Sequence, residues 1–159
     1  MILNLMDYGD TINSKMISTF EQELNVSLPE EYKAFMIKNN GGMPEDDVVF
    51  DYYDNVTETQ KRAVVQEFYI IYSENNYEVD NIKNICKGFW KDKAIPTSMF
   101  PIGSDPAGNI ICISLSPDEY GVIYFYNHEY ENVDTGYMMK SKVADSFDGF
   151  LELLYVIED

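Results

Sequence analysis

Acidic residues and tyrosines occur together in two segments of the sequence. Residues 45–58 contain six acids and no base, with Tyr52 and Tyr53 among them, and residues 126–137 place three tyrosines beside three acids. Tyrosine is enriched in protein interfaces, and acidic neighbours complement a basic partner. The pattern fits two interpretations equally: a protein-binding surface, or a solvated acidic face whose tyrosines are half-buried in the core.

The net charge narrows the choice of partner. With 28 acids against 11 bases the chain carries a formal charge of −17, which repels phosphate backbones and anionic membranes. We therefore expect neither a nucleic-acid nor a membrane partner, whereas a cationic protein would be attracted. A role of the charge in solubility alone is an equal alternative. Arg62 is the single arginine, so bidentate clamping of phosphates is almost unavailable.

No motif for catalysis or for a cofactor is present. His128 is the single histidine, there is no Gly-x-Ser-x-Gly elbow, and we interpret His128 as an exposed loop residue. The sequence has no nucleotide-binding glycine pattern, and residues 105–109 resemble half of a calcium loop at most, which a hairpin turn explains. We predict no catalytic residue, metal or cofactor. A pair of acids for glycoside hydrolysis stays open as a minor alternative.

The two cysteines and the chain termini bear on the cellular location. Cys86 and Cys112 lie in apolar runs, which favours buried free thiols over a disulfide. The first residues lack the basic region of a signal peptide, and no apolar run approaches the ~20 residues of a membrane span. We expect a cytoplasmic protein.

Helical spacing of apolar side chains predicts four helices. They are residues 14–24 capped by Asn13 or Ser14, a helix from Pro29 to the 39–42 segment, a helix capped by Asp80 and a helix from Ser146. Proline suits the first position of a helix because its missing N–H would be unpaired there. The sequence Asn-Asn-Gly-Gly at residues 39–42 tolerates the left-handed conformation that ends helices.

Strand-like runs fill the middle of the chain. They are residues 48–53, 65–72, 99–102, 110–115 and 122–126. The 110–115 run is nearly all apolar, which predicts a central strand covered on both faces. Residues 55–63 fit a helical capping box or a strand, and residues 128–139 are predicted to be a loop. This order indicates one α+β domain over residues 1–159, with a mainly antiparallel sheet and helices towards both chain ends.

Several short motifs, in order, resemble the SUKH superfamily, also called the Smi/Knr-like domain. They are LPEEYK at 28–33, NGG at 40–42, FPIGSD at 100–105, GNII at 108–111, GVIY at 121–124 and VADSF at 143–147. The resemblance covers about residues 14–155 and implies a central sheet with flanking helices. It implies no catalytic residue. The 128–142 segment departs from the pattern.

The resemblance implies a bacterial immunity protein that neutralises a cognate toxin, often a nuclease, by binding it in the cytoplasm. Together with the −17 charge it leads us to expect occlusion of a basic toxin domain by an acidic surface. The residues predicted to form that surface are Asp46, Asp47, Asp51, Tyr53, Glu129, Tyr130 and Asp134. Two alternatives are a regulatory interaction domain without a toxin partner, and an enzyme or small-ligand receptor.

Overall fold

A computed structural model describes residues 2–71 and 81–158 of the chain. The fold is α+β with antiparallel sheets, which confirms the predicted class. Within the described residues, no helix combines the length and the apolar character needed to cross a membrane.

The four predicted helices are all present. They are α1 (Ser14–Leu24), α2 (Glu30–Lys38), α3 (Ile82–Lys91) and α4 (Phe147–Leu153). Asn13 caps α1 by accepting a 2.9 Å hydrogen bond from the Met16 N–H, and Ser146 caps α4 by accepting one from Gly149. The cap of α3 is Asn81, which accepts from the Lys83 N–H. The predicted cap, Asp80, lies outside the described residues.

The ends of α2 differ in detail from the prediction. Pro29 precedes the helix as its N-cap instead of being its first residue, because its ψ of 141° is extended while its carbonyl already accepts from the Lys33 N–H. At the other end Asn39 is extended, with a φ of −144°. The left-handed conformation comes two residues later, at Gly41 and Gly42.

Ten strands form three antiparallel sheets in the described residues. They are β1 (Leu5–Met6), β2 (Met43–Pro44), β3 (Val48–Asp54), β4 (Thr59–Val64), β5 (Glu67–Phe68), β6 (Met99–Ser104), β7 (Ile110–Ser114), β8 (Ile123–Glu131), β9 (Met138–Ala144) and β10 (Tyr155–Val156). The sheet orders are β1-β2, β10-β3-β4 and β5-β6-β7-β8-β9. Strand β7 is central and every residue in it is buried, as predicted.

Two strand predictions need correction, and the choice left open for residues 55–63 is settled. The 55–63 stretch is a turn followed by β4, and Thr57 bonds to the Asp54 carboxylate within that turn instead of capping a helix. The 65–72 strand is reduced to β5, with residue 72 outside the described part. The predicted loop at 128–139 is wrong: β8 continues to Glu131 and β9 begins at Met138, because the two strands pair with each other there.

The five-stranded sheet is covered on both faces. On one face Phe125 packs edge-on against Phe50 and Tyr52 of β3, with ring centroids 5.5 and 5.0 Å away. Helices α1, α2 and α4 complete that core, together with Ile82 and Cys86 of α3. On the other face Phe89 and Trp90 of α3 pack against a second cluster that contains Tyr124, Tyr126 and Cys112.

Both cysteines are buried and unpaired, as predicted. Burial raises the pKa of the Cys86 thiol and of the Cys112 thiol, so both remain protonated and unreactive at neutral pH. They contribute to the core as small apolar side chains.

Candidate protein-binding surface

The end of the β8–β9 hairpin, residues 128–137, extends beyond the sheet and is called the hairpin end below. Strand β8 pairs with β7 only as far as Tyr126. Beyond Tyr126, β9 is the only strand that pairs with β8 in the described ladders. The register then jumps from Asn127↔Met139 to Glu131↔Met138. The three residues between Asn127 and Glu131 therefore bulge out of the ladder, as bulges do where a strand must present side chains.

A hydrogen-bonded turn closes the hairpin end. The Asn132 side chain accepts from the Asp134 and Thr135 N–H groups at 2.9 and 3.2 Å. The Asn132 N–H donates to the Tyr137 carbonyl at 2.7 Å, and the Gly136 N–H donates to the Asn132 carbonyl. This network holds Val133 at the apex, where it is 96% exposed. Val133 therefore contributes one exposed apolar side chain to the surface of the hairpin end.

Three carboxylates of the hairpin end have no ion-pair partner among the described residues. Glu129, Glu131 and Asp134 are exposed, and none forms a salt bridge with a described residue. Tyr130 stands between them and is 42% exposed. The hairpin end thus combines unbalanced negative charge with an aromatic and an aliphatic side chain, the composition that suits a basic protein partner.

Asp51 and Tyr53 lie on the outer face of the three-stranded sheet. The Asp51 carboxylate is 3.4 Å from Nε of Arg62 and accepts a 2.8 Å hydrogen bond from the Tyr155 hydroxyl. The Arg62 guanidinium lies 5.4 Å from the Tyr155 ring centroid. The charge of Asp51 is therefore balanced within the chain, while Tyr53, at 47% exposed, remains available for contact.

Asp46 and Asp47 belong to a different part of the surface. Both are exposed in the loop before β3, where the Asp47 carbonyl accepts from the Ile157 N–H at 3.1 Å. The seven residues of β3 span roughly 20 Å, so this loop and the β3–β4 turn lie at opposite ends of the strand. The predicted surface is thus divided among this loop, the middle of β3 and the hairpin end.

The β3–β4 turn connects the middle group to the hairpin. Lys61 forms a 2.8 Å ion pair with Asp54. The hydrogen bond to Asp54 raises the pKa of Lys61. Beside this ion pair the Asn55 N–H donates a 2.9 Å hydrogen bond to the Ser141 hydroxyl of β9, so the β3–β4 turn is attached to the strand that leads out of the hairpin end.

Sequence reasoning missed two features of this surface. The first is the exposure of Val133 and Glu131 at the end of a hairpin, which was not predicted because residues 128–139 were assigned to a loop. The second is the Arg62–Tyr155 contact, which was not predicted because it joins strands far apart in sequence. A turn-forming run with Gly136 between two strand-like segments is typical of a β-hairpin and could have indicated it. His128 is exposed as expected, but it lies on β8, where its N–H donates to Asn109.

Comparison with known proteins identifies the family. No curated protein is significantly similar to the chain. The model of the SMI1/KNR4 family (SUKH-1) matches residues 11–153, which include all four helices and every strand of the five-stranded sheet. The chain therefore belongs to the SMI1/KNR4 family (SUKH-1).

Proposed function

We propose that this chain is an immunity protein that binds a cognate toxin, a basic nuclease domain, and blocks its substrate channel. The observation that carries the proposal is the hairpin end, where three unpaired carboxylates surround an exposed tyrosine and an exposed valine. The family is consistent with an immunity protein. The protein acts by binding in the cytoplasm of the producing cell, without catalysis or a cofactor.

The mechanism is occlusion by charge mimicry. Carboxylates of the hairpin end occupy positions that substrate phosphates would take in a basic channel, and the −17 charge accelerates the encounter by electrostatic steering. Tyr130 supplies an aromatic side chain of the type that carries most binding energy in interfaces, and Val133 adds apolar contact area beside it. Tyr53 extends the contact along the three-stranded sheet, and Asp46 and Asp47 act as distant steering charges.

Calorimetry at two salt concentrations tests the proposal. The probe is the C-terminal domain of a large secreted protein encoded beside this gene, where the genome has one. We expect tight binding that weakens as salt rises, because screening reduces contacts between exposed charges. Absence of binding would contradict the toxin assignment and support a regulatory interaction domain. Binding of unchanged affinity at both salt concentrations would contradict the electrostatic mechanism.

A further inference from the structure

Helix α3 carries a stripe of lysines in an otherwise acidic protein. Lys83, Lys87 and Lys91 recur every four residues, opposite the buried Ile82 and Cys86. Residues that far apart lie side by side on a helix, and like charges so placed destabilise it. The helix dipole favours Lys91 in the last turn, but it does not account for Lys87, which lies further from the end of the helix.

The lysines near the C-terminal end of α3 have no ion-pair partner in the part of the chain that the structure describes. Lys83 is paired with Glu23 at 2.7 Å, whereas Lys87, Lys91 and Lys93 are exposed and form no salt bridge with a described residue. The only acid within residues 82–94 is Asp92, which is also exposed. We call these three unpaired residues together with Lys140 the lysine face.

Lys140 belongs to the same side of the molecule. It is opposite Tyr126 in the β8–β9 register, so it emerges on the sheet face against which Phe89 and Trp90 of α3 pack, and its Nζ lies 4.4 Å from the Tyr124 ring centroid. This contact fixes a positive charge on the sheet face that carries the Phe89 and Trp90 cluster. The lysine face therefore includes a residue of the five-stranded sheet as well as residues of α3 and the segment that follows it.

The lysine face adjoins the hairpin end. The Met138 N–H, at the start of β9, donates a 2.9 Å hydrogen bond to the carbonyl of Ala94, three residues after α3. Unpaired lysines and unpaired carboxylates are thus neighbours, yet no ion pair joins the two sets among the described residues. Two adjacent patches of opposite charge become complementary when a second copy is rotated by 180°.

We propose that the lysine face is the docking surface for a second copy of this chain, whose hairpin end lies on it in a two-fold symmetric dimer. Contacts between charges a few ångströms apart act within the ~8 Å screening length of physiological salt, whereas repulsion between the distant acidic parts of two copies is screened. The dimer does not depend on the proposed function. A basic partner that occupies the hairpin end would compete with it.

Analytical ultracentrifugation with a charge exchange tests the dimer. The full chain should dimerise reversibly at concentrations up to about 1 mM, where a weak interface still populates the complex. A Lys91→Glu/Lys93→Glu chain and a Glu129→Lys/Asp134→Lys chain should each be monomeric. Mixed together they should form a heterodimer, because each then presents the charge that the other lacks.

A matched control distinguishes the effect of losing contacts at the lysine face from the effect of a changed net charge. Lys15→Glu/Lys38→Glu changes the net charge as much as the α3 variant does, and Lys38, like Lys91, lies in the last turn of its helix. This control chain should dimerise as the unaltered chain does. Any of three results would overturn the proposal. The unaltered chain could be monomeric, or the control could lose the dimer as the α3 variant does. The third result is a mixture that stays monomeric although both variants keep the circular dichroism of the unaltered chain.

Discussion

The backbone N–H of Asn55 donates a 2.9 Å hydrogen bond to the hydroxyl of Ser141, which is 86 residues further along the chain. The Asn55 side chain adds a second bond, 3.1 Å long, to the carbonyl of Lys140. These bonds attach the β3–β4 turn of the three-stranded sheet to β9 of the five-stranded sheet. Phe125 fills the space between the same two sheets by packing against Tyr52. The hairpin end therefore has a fixed position relative to β3.

Replacing Ser141 with alanine should lower the free energy of unfolding by about 1 kcal/mol, because the Asn55 N–H loses its partner at a buried position. Urea denaturation measures the change. Ser18→Ala, at an exposed position of α1, is the control and should cost nothing. Equal stability of the Ser141 variant and the unaltered chain would show that this bond does not hold the two sheets together.

Some elements of the fold can be predicted from local sequence patterns alone. The start of α2 at Glu30 and the meander from Met99 to Tyr126 follow from local turn chemistry and apolar periodicity, which need no knowledge of distant partners. The hairpin end was missed because its strands are polar. They are held by pairing with each other and by the Asn132 side chain instead of by burial.

The same limit applies to the candidate surface. Exposure of the predicted acids could be expected from their type alone. The neutralisation of the Asp51 charge could not be predicted from the sequence. Arg62 lies opposite Asp51 only because of the register between β3 and β4, and Tyr155 is 104 residues from Asp51 in the chain. Which acids keep an unbalanced charge is thus a property of the tertiary structure.

Asp54 should make stability depend on pH in the acidic range. Burial opposes ionisation of this carboxyl, but hydrogen bonds from Lys61, the Val56 N–H and Thr57 outweigh it and place the pKa of Asp54 below its ordinary value. The stabilisation is therefore present above the ordinary pKa of about 4 and is lost as pH falls through the lower folded value. Asp54→Asn should cost about 1–2 kcal/mol at pH 7.

Urea denaturation from pH 7 to pH 3 checks this expectation. The difference between the unaltered chain and Asp54→Asn should shrink at the acidic end, because the carboxyl of the unfolded chain is protonated below its ordinary pKa and the advantage of the ionised folded form falls as pH approaches the lower folded pKa. A difference that stays constant over the whole range would contradict the role of the ionised group.

Gly41 should not tolerate a side chain. Its φ of 69° is left-handed, and a Cβ would lie 2.6 Å from the carbonyl oxygen of Tyr69. Gly41→Ala should therefore destabilise the protein by at least about 2 kcal/mol. Gly88→Ala is the matched control, because its Cβ would meet nothing within 4 Å and alanine favours the helix by about 1 kcal/mol. Thermal unfolding of both variants compares them, and similar melting temperatures would contradict the argument.

The hydroxyl of Tyr32 is a buried group without a hydrogen-bond partner among the described residues. The ring packs edge-on against Phe147, 5.3 Å away, and burial raises the pKa of Tyr32, with Cys86 adding to the rise. Tyr32→Phe should therefore leave stability unchanged or raise it by about 1 kcal/mol. Tyr32→Ala should lower it by about 3–5 kcal/mol through loss of packing. A large loss in the phenylalanine variant would reveal an unseen partner of the hydroxyl.

The central claim is that the hairpin end binds a basic toxin, and the dissociation constants of two matched triple variants test it most directly. Glu129→Gln/Glu131→Gln/Asp134→Asn removes the three unpaired carboxylates, and Asp118→Asn/Glu152→Gln/Glu158→Gln removes three exposed acids elsewhere, for the same change in net charge. The first should weaken toxin binding by at least about tenfold and the second by less than about twofold. Equal weakening by both would contradict the claim, because it would mean that net charge alone attracts the toxin.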